Sequence, residues 1–180
     1  MLSSEKILEV INPPLKITSF EHINSIVNRS DCLTLIEMPF FERIKQIVKQ
    51  ICDTNVEGDV VVVGVFKGGG ALYLKALFEE YGVYNKWWLF DSFKGFNKTG
   101  MMHLNDIESL KLFSSQIKLH QQPTAQSVYH LFKKYDLHRN LNIVEGFIED
   151  TLPGLDISGR RRAHCCAAPS PWRETRTRSR

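Results

Sequence analysis

The chain has 180 residues, of which 43% are hydrophobic, and this is typical of one globular domain with its own core. Its net charge of +3 is unevenly distributed, because residues 1–158 hold 16 basic and 19 acidic residues whereas residues 159–180 hold seven Arg and one Glu. A mildly acidic body argues against a nucleic-acid partner. No apolar run has the length of a membrane span and no export signal is recognised, so we expect a cytoplasmic protein without a membrane partner.

Residues 1–38 are predicted to be an N-terminal lead-in, which is loose over residues 1–18 and then contains a short helix. Pro13 and Pro14 disfavour a helix there, and Ser19 is placed to cap a short helix that follows. From Pro39 onward, apolar residues recur at helical spacing with charged residues opposite. This pattern predicts an amphipathic helix packed on a sheet.

The central signal is a run of four valines, residues 60–63, followed by glycines at 64, 68, 69 and 70. A β-branched run without charge predicts a strand buried on both faces, as in a parallel sheet. An apolar stretch that ends at Gly82 then predicts a helix with a glycine cap. Strand, glycine turn and helix together are typical of a nucleotide-binding crossover unit, although the spacing matches neither the dinucleotide fingerprint nor the phosphate loop.

A second apolar run, residues 86–90, ends in Asp91, where a carboxylate could accept from both hydroxyls of a ribose. Residues 101–122 lack a clear period and are interpreted as a lid. A helix that begins near Thr124 and a third strand over residues 141–145 complete an alternation of helices and strands. We therefore predict an α/β, Rossmann-like fold with a mostly parallel sheet.

From Gly159 the chain changes character, since it contains no Ile, Leu, Val, Phe or Tyr and shows no period. Two interpretations remain open: a disordered basic arm, or a sequence that has left its reading frame. The adjacent Cys165 and Cys166 match no metal-ligand spacing. The predicted division is a lead-in over 1–38, a partial cofactor-binding domain over 39–158 and an Arg-rich tail over 159–180.

Four blocks in this order resemble the macrocin O-methyltransferase family: residues 58–61, 64–69, 89–95 and 146–153. The resemblance covers about residues 39–157. It implies a class I methyltransferase fold whose C-terminal strands would be missing here, with S-adenosylmethionine as cofactor. It also implies methyl transfer to a hydroxyl, of the sugar type, in a small natural product or glycan that serves as acceptor.

The resemblance implies cofactor-binding roles for three segments. The glycine turn would pass the methionine part of the cofactor, the end of the second strand would hold the ribose and adenosine, and the end of the third strand would lie near the adenine. These residues are Gly64, Val65, Phe66, Lys67, Gly68 and Gly69, then Asp91, Ser92 and Phe93, then Glu145, Gly146 and Phe147. His120 in the lid is the candidate catalytic base.

Members of the family also need magnesium, bound by an Asp-Gly-Asp block and a later Asp-Asp pair. The matching region, near residue 160, holds arginines instead, so we predict that the metal ligands are missing from this chain. We therefore expect only the cofactor-binding half of an enzyme. Two alternatives stay open, an inactive remnant and a nucleotide-binding oxidoreductase with an atypical glycine turn, and the oligomeric state is not predicted.

Overall fold

The computed structural model describes residues 2–11, 33–34, 36, 38–55, 58–95, 122–153 and 164–167, the last four by their backbone alone. Within these ranges the helices are α1 (Ser4–Ile11), α2 (Met38–Asp53), α3 (Gly69–Glu80), α4 (Ala125–Lys134) and α5 (Ile148–Thr151). The strands are β1 (Val60–Val63), β2 (Trp87–Asp91), β3 (Leu141–Glu145) and β4 (His164–Ala167). None of the described helices combines the length and the apolar character that a bilayer crossing requires.

The strands form one parallel sheet in the order β3-β2-β1-β4. This order reproduces the start of the doubly wound arrangement, 3-2-1-4. In such sheets a ligand binds outside the carboxyl ends of the strands, where the strand order reverses, and that point lies beside β1. The predicted α/β, Rossmann-like fold with a parallel sheet is confirmed.

Helix α3 lies at the centre of the core. Residues 71–78 are all buried, the charged Lys75 among them. A helix buried on every side must be covered by other elements on every side. Phe41 of α2 meets Tyr73 edge to face, with ring centroids 4.9 Å apart, and Phe78 meets Trp87 of β2 in the same way at 5.6 Å. Helix α3 is therefore held between α2 and the sheet, and its first residues are fixed at the carboxyl edge of that sheet.

The predicted ends of two helices are confirmed by their caps. Gly82 follows α3 with φ 73°, and the N–H of Val83 donates to the carbonyl of Phe78 at 2.9 Å, a glycine-terminated end. Thr124 caps α4, accepting from the N–H of Ser127 at 3.0 Å while the Ser127 hydroxyl accepts from the N–H of Thr124. Residues next to each boundary therefore decide it: a glycine after α3, and the side chains of Thr124 and Ser127 at the start of α4.

Helix α1 differs from the expected loose lead-in. It ends before Pro13 and Pro14, so the prolines do not interrupt it. Ile7 and Ile11 are buried one turn apart, and the Glu80 carboxylate accepts from the backbone N–H and, at 2.7 Å, from the hydroxyl of Ser4. A carboxylate at a helix N-terminus is stabilising. The short helix expected from Ser19 lies outside the described residues.

Strand β4 differs from the expectation that the strands after the third are missing. Its four residues align with Val60–Val63 of β1, although this part of the tail lacks the apolar residues that mark a strand in a sequence. The reason is that the free edge of β1 offers backbone N–H and C=O groups, and these can pair with extended backbone whatever its side chains. The rest of the tail lies outside the described residues.

Candidate functional site

The glycine turn, residues 64–68, leaves β1 at the carboxyl edge of the sheet and enters α3. Gly64 has φ 81° and Gly68 has φ 91°, a left-handed backbone that favours glycine at both positions. The N–H of Gly68 donates to the carbonyl of Val65 at 2.9 Å, which closes the turn. Phe66 also has a positive φ, 53°, and this is uncommon for a residue with a side chain.

Asp91 joins this turn to the one that follows β2. Its Oδ2 accepts the backbone N–H groups of Val65 at 2.7 Å and Phe66 at 2.8 Å, and its Oδ1 accepts the N–H of Phe93 at 2.8 Å. Hydrogen bonds from N–H groups to an ionised carboxylate are about twice as strong as neutral ones. Two of the donors, Phe66 and Phe93, have positive φ, so the carboxylate holds both turns in conformations that they would not adopt alone.

The end of β3 lies against the same carboxyl edge. Glu145 is aligned with Asp91, and the N–H of Gly146 donates to the Asp91 carbonyl at 3.0 Å. A Cβ on Gly146 would lie 2.5 Å from Cγ2 of Thr151, so a side chain there would collide with the side chain of Thr151 in α5. Phe147 precedes α5 and is half-buried, while Glu145 is exposed. The three segments that sequence analysis singled out therefore meet at one edge.

Two of the predicted residues have mainly structural contacts. The Ser92 hydroxyl donates to the carbonyl of Gly95 at 2.9 Å and accepts from the N–H of Lys94 at 3.2 Å, which shapes the turn after β2. The Phe93 side chain belongs to the buried core. Their predicted place beside the adenosine stays a prediction. His120 lies outside the described residues.

Sequence analysis missed the walls of the glycine turn. A Cβ on Gly68 would lie 3.1 Å from Val128 and 3.3 Å from Leu131, so α4 packs directly on the turn. On another side, the Leu33 carbonyl accepts the N–H of Gly69 at 2.9 Å. The apolar residues that recur at helical spacing in α4 could have indicated its contact with Gly68. Nothing in the local sequence indicates the hydrogen bond between Leu33 and Gly69.

Among the residues that the structure describes, no three His, Cys, Asp or Glu side chains lie close enough together to hold a metal ion. The predicted lack of magnesium ligands concerns the region near residue 160, which lies outside the described residues, so it stays a prediction. We assign no chemical step to that metal.

The order of the strands, together with a glycine turn and an acidic strand end at the point where this order reverses, defines an α/β protein of the Rossmann-like, cofactor-binding class. The sequence matches the family described as macrocin-O-methyltransferase (TylF) over residues 30–160. The chain belongs to this family, and membership implies S-adenosylmethionine as cofactor.

Two curated relatives and one solved structure show the extent of the similarity. The chain is 28% identical over 131 residues to demethyldecarbamoylnovobiocin O-methyltransferase of Streptomyces niveus, which covers 69% of this chain and 47% of the relative. It is 30% identical over 125 residues to mycinamicin III 3''-O-methyltransferase of Micromonospora griseorubida, covering 67% and 48%. The structure of the O-methyltransferase NovP matches with a TM-score of 0.64 and 23% identity over 85% of this chain and 66% of NovP, which shows the same fold. The chain spans about half the length of the curated relatives it matches.

Two features of this edge match what the cofactor requires: the close glycine turn and the carboxylate of Asp91. A sulfonium nucleoside needs a close backbone turn, an acceptor for its ribose and an apolar wall for its base. A carboxylate has about four acceptor positions, and Asp91, which is only half-buried, uses three of them on the protein's own N–H groups. One position therefore remains for a further donor.

Proposed function

We propose that this chain forms the cofactor-binding part of an S-adenosylmethionine-dependent O-methyltransferase. Its acceptor would be a hydroxyl, of the sugar type, in a small natural product or glycan. The observation that carries the proposal is the glycine turn tied to Asp91 at the switch point of a fold that belongs to this family. The two curated relatives, named for O-methylation of demethyldecarbamoylnovobiocin and of mycinamicin III, support a small-molecule acceptor.

The residues of the edge would divide the work of binding. The backbone of the glycine turn would lie against the methionine part of the cofactor, and the remaining acceptor position of Asp91 would take a ribose hydroxyl. Glu145 and Phe147, which follow β3, would border the adenine. The bound cofactor supplies an activated methyl group, while the protein orients the acceptor hydroxyl and takes up its proton. His120 is the candidate base that would accept this proton.

The test is a calorimetric titration of the full chain with S-adenosylhomocysteine, accompanied by thermal unfolding. Ligand at 100 times its Kd should stabilise the fold by about 2.7 kcal/mol, which raises Tm by about 5–10 °C for a chain of this size. Reduced nicotinamide cofactor serves as the comparison, because binding of that compound alone would favour the oxidoreductase. Absence of any shift with millimolar S-adenosylhomocysteine would contradict the proposal, and broad, non-cooperative melting would favour an inactive remnant.

A pair of charge-removing variants locates the site. Glu145→Ala should weaken S-adenosylhomocysteine binding about three- to tenfold, the effect of one lost hydrogen bond. Glu9→Ala removes another exposed carboxylate, from α1, and should leave the affinity unchanged. Equal affinities of both variants and the wild type would remove Glu145 from the adenine end of the site.

A further inference from the structure

Three residues that precede α2 lie across the start of α3, and we call Leu33, Thr34 and Ile36 the strap. The Leu33 carbonyl accepts the first N–H of the helix, from Gly69, at 2.9 Å. The Thr34 residue is 5% exposed, and its hydroxyl accepts the N–H of Ile36 at 3.1 Å. Leu33 and Ile36 pack against the core, so the strap is an integral part of this edge.

The strap fits so closely that two glycines have no room for a side chain. A Cβ on Gly69 would lie 2.6 Å from the Leu33 carbonyl oxygen, and a Cβ on Gly70 would lie 2.6 Å from Cδ1 of Ile36. Separations below 3.0 Å essentially never occur for real Cβ atoms. Glycine is less favourable than alanine inside a helix, and the close approach of the strap explains why glycine nevertheless occupies both positions.

This close approach has a consequence for the neighbouring turn. The N–H of Gly69 is bonded to the strap, and Gly69 directly follows the last residue of the turn, so any displacement of the strap is passed to the backbone of the turn. The Cβ directions of Gly69 and Gly70 face the strap, and that of Gly68 faces α4. Protein atoms therefore occupy the sides of Gly68, Gly69 and Gly70 toward which a Cβ would point, and a ligand could approach their backbone only from the other sides.

Resting on the proposed function, we infer that the strap is a positioning element of the cofactor site: the contact of Ile36 with Gly70 sets the backbone of the glycine turn, and cofactor affinity depends on it. The contact joins residues 34 positions apart in the sequence. It acts through the backbone of the turn and needs no bond from the strap to the cofactor.

The experiment is a double-mutant cycle read by S-adenosylhomocysteine titration at a temperature well below unfolding. In Gly70→Ala the new methyl collides with Cδ1 of Ile36 and shifts the backbone of the glycine turn away from the geometry that the cofactor needs, so Kd should rise about fivefold. Ile36→Val deletes Cδ1, the atom that collides. In the Ile36→Val background the same Gly70→Ala change should therefore alter Kd by less than about twofold.

The matched control is Gly82→Ala at the other end of α3. Gly82 has φ +73° and no atom within 4 Å of its missing Cβ, so this variant should lower Tm and leave Kd unchanged. If Gly70→Ala fails to fold by circular dichroism, Ile36→Ala, which adds no clash, takes its place and should raise Kd about fivefold. The inference is overturned if Gly70→Ala, or Ile36→Ala where that replaces it, binds with wild-type affinity. It is also overturned if Gly70→Ala has an equal effect on Kd in the wild-type and the Ile36→Val backgrounds. A wild-type chain that binds no S-adenosylhomocysteine overturns the proposed function instead, and the inference with it.

Discussion

Asp91 is the residue whose replacement tests the site most directly. Its carboxylate accepts the N–H groups of Val65, Phe66 and Phe93 at 2.7–2.8 Å and so connects the turns that follow β1 and β2. If Asp91 served only as a ribose ligand, its loss would affect cofactor binding alone. Because it also holds the protein's own backbone, we predict that its loss lowers the stability of the fold in the absence of any ligand.

The magnitude follows from the contacts that are lost. A hydrogen bond to a charged group contributes about 1.5–3 kcal/mol, and Asp91→Ala removes three of them. Water can reach the half-buried site and replace part of this, so we expect a net loss of about 3–4 kcal/mol. In Asp91→Asn the amide oxygen can still accept two N–H groups, but its NH₂ then faces the third donor, and we expect a loss of about 1.5 kcal/mol.

The assay is urea unfolding of the ligand-free chain followed by circular dichroism, with thermal unfolding as a second measurement. For a chain of this size the predicted losses correspond to a lower Tm by about 6–16 °C for Asp91→Ala and about 3–6 °C for Asp91→Asn. The control is Asp59→Asn, because Asp59 accepts one bond, from Nε1 of Trp88 at 3.0 Å, and an amide oxygen can keep it. This variant should unfold within about 0.5 kcal/mol of the wild type.

The decisive comparison is between Asp91→Ala and the wild type. If both unfold at the same urea concentration with the same slope, the carboxylate does not support the two turns and the reasoning fails. If Asp91→Asn lost no more stability than Asp59→Asn, the amide would have satisfied all three N–H donors. That result would refute the argument that the NH₂ group leaves one of these donors without an acceptor.

Two further predictions concern the buried face of α3. Lys75 and Glu79 form an ion pair at 2.9 Å with side chains 2% and 9% exposed, so Lys75→Met should cost about 3 kcal/mol by leaving a buried carboxylate unpaired. Adding Glu79→Leu should recover most of the loss in urea unfolding, and a double variant no more stable than the single one would contradict this. Burial, with smaller contributions from nearby carboxylates such as Glu42, raises the pKa of Tyr73 to about 12, above the value of about 10 in an unfolded chain. The contribution of the neutral Tyr73 to folding stability is therefore complete below pH 10 and is lost as the pH rises toward 12, by up to about 2.7 kcal/mol. If Tyr73→Phe lost stability at alkaline pH in the same way as the wild type, this prediction would be wrong.

Much of the fold was predictable from local patterns. The valine run of β1 and the apolar stretch of β2 could satisfy their backbone and side chains only inside a sheet, and the structure places both there. The start of α4 was predictable because Thr124 and Ser127 cap it within four residues of chain. The resemblance to a methyltransferase family was likewise carried by short motifs, and the family match confirms it.

Local patterns were insufficient where an element is stabilised by a distant partner. Helix α1 is only eight residues long, and short helices are marginal on their own. It depends on Glu80, 76 positions further along the chain, and on burial of Ile7 and Ile11. Strand β4 depends on the free edge of β1 and not on side chains of its own that would favour a strand.

The motifs of the chain were enough to name the segments that meet at the carboxyl edge, since a parallel sheet brings the ends of neighbouring strands together. The hydrogen bonds that Asp91 and Gly69 make there join positions that are far apart in the sequence. Asp91 reaches back 25 and 26 positions to hold the glycine turn, and Leu33 reaches forward to the first turn of α3. Such contacts obey geometry in three dimensions, and no period in the sequence records them, because the chain folds back on itself at separations that vary with every intervening loop.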